Sequence, residues 1–77
     1  YNAIIYPIPA SNSLYIESLK YQNTNIYFYD AIGQLVKYIK MDKSSIRIDV
    51  SNLNGIYLLQ IMYDDKKTNF YKVLINN

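Results

Sequence analysis

The chain has 77 residues, 51% of them hydrophobic and 18% charged, which allows one domain and excludes a disordered tail. Its 8 basic and 6 acidic residues leave a net charge of +2, with no basic run longer than Lys66-Lys67, so neither nucleic acid nor an anionic membrane is called for. Cys, His and Trp are all absent, which removes disulfides, ordinary zinc sites and triads with a His base, and zero Cys is compatible with any compartment.

The first apolar segment is broken by Pro7 and Pro9, which confine it to a sheet edge. Ala10-Ser11-Asn12-Ser13 reads as a turn. From Leu14 to Leu19 the apolar residues recur with period two, so Leu14 and Ile16 share one face while Tyr15 and Glu17 share the other. Gln22-Asn23-Thr24 separates this strand from the next, Asn25 to Tyr29, in which Ile26 and Phe28 share a face. Asp30-Ala31-Ile32-Gly33 is a hairpin connection, with Gly33 able to take positive φ.

Leu35 to Met41 is strand-like, but apolar residues on both faces leave its inward side unassigned. Asp42-Lys43-Ser44 is a turn. Ser45 to Val50 alternates strictly, predicting Ile46, Ile48 and Val50 inside and Arg47 and Asp49 outside. Ser51-Asn52-Leu53-Asn54-Gly55 is a longer connection ending in an Asn-Gly pair. The runs Ile56 to Tyr63 and Phe70 to Ile75 are nearly continuous apolar strands, joined by the polar tip Asp64-Asp65-Lys66-Lys67.

About seven short strands with turn signals roughly every 8–12 residues predict an all-β, immunoglobulin-like antiparallel β-sandwich. A core near this length buries only about 60% of the unfolded chain's surface. No amphipathic helix, internal repeat or apolar run of membrane-spanning length is visible, nor is a basic, then apolar, N-terminal signal. The chain opens on Tyr1 rather than Met and is expected to be a piece of something longer.

The six acidic residues sit at turns or on polar strand faces, where Asp serves local hydrogen bonding, so no catalytic carboxylate pair stands out. Asp64-Asp65 has few companions for the six to eight oxygens that calcium takes. Gly33 and Gly55, the only glycines, make no phosphate loop. No enzyme, cofactor, metal or small-molecule substrate is expected. The ten tyrosines are the remaining feature. Tyr15, Tyr27, Tyr29 and Tyr38 fall on outward or unassigned faces and either cover a thin core or form a binding platform. They keep open a small carbohydrate-binding or fibronectin-like accessory module. A plain structural spacer is a further alternative.

One family resemblance runs through the whole chain. Tyr6-Pro7-Ile8-Pro9-Ala10 is followed by Asp30-Ala31-Ile32-Gly33-Gln34-Leu35-Val36, then Leu53-Asn54-Gly55-Ile56-Tyr57, then Lys72-Val73-Leu74-Ile75. This order resembles the C-terminal sorting domain of cargo proteins of the type IX secretion system of Bacteroidota. The family pattern is Tyr-Pro-x-Pro, Asp/Asn-x-x-Gly-x-x-Val, Leu-x-x-Gly-x-Tyr and a Lys-led apolar last strand. Here Ile8 stands where Asn is usual, and Asn76-Asn77 end the chain where many members end in basic residues.

The resemblance implies an address rather than a reaction. Such a domain directs a larger cargo protein from the periplasm across the outer membrane and is then removed by a cell-surface sortase. Its partners are the outer-membrane translocon, its shuttle proteins and that sortase, and the cargo ends secreted or on the cell surface. Residues 1–77 are then one sorting domain, with 1–5 the end of an upstream linker or a first strand, and cleavage upstream of Tyr6. The motif residues Tyr6, Pro7, Pro9, Asp30, Gly33, Val36, Leu53, Gly55 and Tyr57 read mainly as folding determinants. Pro7 and Pro9 would hold an extended entry segment, and Leu53 would plug the core before Gly55 turns the chain. Tyr57, Leu59 and Ile61 would point inward. Lys72, Val73, Leu74 and Ile75 form the candidate recognition strand, whose open edge could take a partner's strand or give a weak homodimer.

Overall fold

In the computed structural model, which describes residues 2–77, seven strands form two antiparallel sheets and no helix. The strands are β1 (Ile4–Tyr6), β2 (Ser13–Glu17), β3 (Thr24–Tyr29), β4 (Leu35–Met41), β5 (Ser45–Asp49), β6 (Gly55–Met62) and β7 (Thr68–Ile75). One sheet runs β1-β2-β5 and the other β4-β3-β6-β7. This is the immunoglobulin-like sandwich that the alternating pattern predicts.

Alternation explains which side chains meet between the sheets. Leu14, Ile16, Ile48 and Val50 come from one layer, and Ile26, Phe28, Leu59, Ile61, Val73 and Ile75 from the other; all are buried. Each such side chain is worth about 1.5–3 kcal/mol of transfer free energy. Tyr57 and Tyr63 are buried at the ends of β6, and Ile46 and Leu53 pack half-buried on the core. The expected inward residues of β2, β3, β5 and β6 are therefore the observed ones.

Four local expectations change. Leu19 lies outside β2 and is 95% exposed. The preceding Ser18 is buried, its N–H donating to Ser44 O and its Oγ to Lys20 O, so the chain has already turned. Thr24 belongs to β3, not to the connection, and is fully buried. Its hydroxyl is satisfied by Gln22 O, and Asn23 supplies the positive φ of the turn. Ala10 is not a turn residue but pairs in parallel with Ile75. The segment after Pro7 bends rather than running straight, and that bend delivers Ala10 to β7.

β4, whose inward face was unassigned, turns Lys37, Ile39 and Met41 toward the core side, opposite Phe28, Ile26 and Thr24 of β3. Between Phe28 and Tyr29 the register shifts, and Val36 is the extra residue. Such a bulge bends an edge strand and raises its local twist.

Candidate recognition surface

The motif residues act first on the backbone. The Asp30 carboxylate accepts from the N–H groups of Ile32 (3.1 Å) and Gln34 (2.9 Å), closing the β3–β4 connection from inside. Gly33 takes φ +87° there, a conformation disfavoured for side chains with a Cβ. At the start of β6, Gly55 has φ +117°. Two residues on, the buried Tyr57 hydroxyl donates to Asn54 O and accepts from Asn54 N–H, both at 3.1 Å. The spacing Leu53, Gly55, Tyr57 thus builds a turn clasped by its own tyrosine.

Tyr6 ends β1. Its ring stacks on Tyr15 at 5.5 Å, and its hydroxyl donates to the Glu17 carboxylate. That hydrogen bond, with the nearby negative charge, raises the Tyr6 phenol above its usual value. Pro7 and Pro9 are exposed on the path to Ala10. Val36 is 40% exposed at the bulge.

Asp30, Gly33 and Tyr57 are brought together with Lys72 around one shallow depression, floored by Ile56 and Leu58. Tyr6, Pro7, Pro9 and Val36 do not reach it. The depression lies on the solvent face of the four-stranded sheet, which is unusually apolar. Tyr38, Tyr27, Gln60 and Phe70 follow one another across its four strands, and Ile56 faces Leu74. Ile56, Phe70 and Leu74 are each at least 43% exposed.

Within β7 the two faces divide the candidate strand. Val73 and Ile75 are fully buried, whereas Lys72 and Leu74 face solvent. The strand is also held at its end. Ala10 N–H donates to Leu74 O and Asn76 N–H donates to Ala10 O, both at 2.8 Å. Asn77 binds the 50–54 loop through its side-chain Nδ2, to Leu53 O (2.6 Å) and Val50 O (2.9 Å), and through its N–H to Asn54 Oδ1 (3.1 Å). The sequence assigns no role to Phe70, reads Ala10 only as a turn residue at the end of the first motif, and notes Asn77 only as a departure from a basic tail. Phe70 could have been found as the first outward aromatic of the last run; Ala10 and Asn77 carry no local signal.

The tyrosines pack on one another. Tyr27 stacks with Tyr29 at 6.5 Å and packs against Tyr38 at 5.2 Å in a tilted arrangement, the planes 41° apart. The Tyr29 and Tyr38 hydroxyls are engaged by Gln60 and Asn25. Rings so paired do not present the row of free, coplanar faces that a sugar platform requires.

The family model described as the secretion system C-terminal sorting domain matches residues 4–76. No curated protein matches. Among solved structures, one chain superposes with a TM-score of 0.80 at 14% identity, covering 97% of this chain and 11% of the other. It comes from work on PorZ, an essential bacterial surface component of the type IX secretion system of Porphyromonas gingivalis. At that identity the likeness establishes the fold, and the present chain spans only about a tenth of the other's length.

Proposed function

Since this chain belongs to the secretion system C-terminal sorting domain family, we propose that it directs a larger cargo protein across the outer membrane by the type IX route and is then cut away by a cell-surface sortase. The observation that carries this reading is the family match over nearly the whole chain, residues 4–76. Residues 1–77 act as one sorting domain, with the junction to the cargo upstream of Tyr6. Tyr1 lies outside the described residues, and residues 4–6 are the first strand. The domain itself performs no chemistry and needs no cofactor; translocon, shuttle proteins and sortase act on it. Its cargo reaches the cell surface or the medium through the periplasm.

The solvent face of β7 and the adjoining depression support a recognition role for this strand. Removing Val73 to Asn77 would delete two core side chains, so it would test folding rather than recognition. Lys72→Glu and Leu74→Ser alter only the exposed face.

The test is a fusion of the 77-residue chain to the C-terminus of a periplasm-directed fluorescent protein. Export that requires the translocon, with the tail absent from the product, is expected. A folded fusion held in the periplasm would reject self-sufficient sorting. Export lost with the two surface variants, while their melting temperatures hold, is expected if β7 is read.

A further inference from the structure

β4 and β5 meet at the turn of residues 42–44 but belong to different sheets, β4 as an edge of the four-stranded layer and β5 as an edge of the three-stranded one. Between them lies a cleft of about 590 Å³, within the roughly 300–1,000 Å³ of ligand sites. Ile39 and Ile46, both half-buried, form its apolar floor, and the exposed Lys40, Lys43 and Arg47 line it with them. Asp42 is the carboxylate that lines it.

The net charge of the protein is concentrated here. Residues 37–49 hold four cations (Lys37, Lys40, Lys43 and Arg47) against two carboxylates (Asp42 and Asp49), a surplus of +2, and the rest of the chain holds four of each. Among the described residues, Lys40, Lys43 and Arg47 form no ion pair. The Asp49 carboxylate is engaged by the Ser51 N–H. A cleft with one dominant sign of charge and apolar walls focuses its field on an approaching partner.

One wall also offers unpaired backbone. Ser18 N–H donates to Ser44 O and Val50 N–H to Asn12 O, so the even-numbered residues of this stretch turn their backbone groups toward β2. The alternation of an antiparallel ladder turns those of Ser45, Arg47 and Asp49 the other way, to an edge with no neighbouring strand.

We propose that this cleft binds an acidic, extended peptide segment of a partner protein, which adds to the β5 edge and sets its carboxylates against Lys40, Lys43 and Arg47. Cations along an edge turn away a neutral strand, which would leave them desolvated and unpaired, and favour a strand of opposite charge. Apolar side chains alternating with the acids cover Ile39 and Ile46. A lone phosphate or carboxylate uses the cations but neither the floor nor the edge. The inference does not rest on the sorting role.

The probe is a capped hexapeptide of alternating valine and glutamate, titrated at low salt into the isotope-labelled 77-residue chain. Chemical-shift changes confined to residues 38–47 are expected, with slower amide exchange at Arg47 and an affinity that falls as salt screens the charges. A Lys40→Glu, Arg47→Glu double variant should bind at least about tenfold more weakly at the parent's melting temperature. A Lys66→Glu, Lys72→Glu variant, with the same change of charge away from the cleft, should bind like the parent. Absence of binding, shifts centred outside the cleft, or equal binding by the folded Lys40→Glu, Arg47→Glu variant overturns the proposal. Acetate or phosphate binding as tightly as the peptide, with no slowing at Arg47, also overturns it and assigns the cleft to small anions.

Discussion

Asn77 Nδ2 lies 2.6 Å from the carbonyl oxygen of Leu53, joining the last residue of the chain to the motif loop that precedes β6. The same nitrogen reaches Val50 O, and the Asn77 Oδ1 accepts from Ser11 Oγ at 3.3 Å. One side chain thus ties together the loop after β5, the segment before β2 and the end of β7. Asn77→Ala removes these bonds together. At about 0.5–1.5 kcal/mol each, discounted for partial exposure, the loss should total about 1–2 kcal/mol. Thermal unfolding should then fall by about 4–8 °C per kcal/mol. An unchanged melting temperature would show the contacts to be incidental.

Tyr57→Phe keeps the buried ring and deletes the hydroxyl that bonds the Asn54 backbone. A loss of about 1 kcal/mol is expected in urea unfolding with an unchanged m-value. Tyr38→Phe deletes a hydroxyl bonded at the surface to Asn25 and should stay within about 0.5 kcal/mol of the parent. Equal effects would contradict the clasp assigned to Tyr57.

Gly55→Ala meets open space, since nothing lies within 4 Å of the added carbon, so any cost comes from φ +117° alone. Strain of about 1–3 kcal/mol is expected. Because no neighbour needs to move, the variant should keep the parent's fold and lose only stability. Chemical-shift changes across the core would instead indicate repacking.

Asp49 gives a pH dependence. The Ser51 N–H at 2.9 Å, followed by Arg47 and Lys37, holds its carboxyl below the usual value. A depressed folded-state pKa means a stabilisation present above the unfolded value, about 3.9, and lost as pH falls through the folded one. Asp49→Asn should therefore narrow the stability difference between pH 6 and pH 2. Parallel pH profiles for parent and variant would refute the assignment.

Much of this was legible in the sequence because a half-buried strand records its faces in its alternation. Ile46, Ile48 and Val50 could hardly face any other way. β4 was illegible for a physical reason: Lys37 lies on its core-facing side while Val36 and Tyr38 face water, inverting the usual reading. Only its position at an edge, where a lysine stem can reach solvent, permits that. Thr24 was misplaced because its hydroxyl is satisfied locally, so a residue typical of turns can be fully buried. Of the motif residues, Asp30, Gly33 and Tyr57 meet around one depression, but nothing local marks Ala10 or Asn77 as partners of the chain's far end. Their partners lie more than twenty residues away, and such pairings leave no short-range trace.

The parallel clasp between Ala10 and β7 makes closure of the sandwich depend on residues far apart in the chain. The segment that emerges from the ribosome among the first of these 77 residues has its partner among the last, and Val73 and Ile75 are needed to fill the core. A polypeptide terminated before them has neither the clasp nor the finished interior. Neither the Ala10 segment nor β7 can therefore reach its native packing before the other is present, which makes the two ends of the sandwich one cooperative unit.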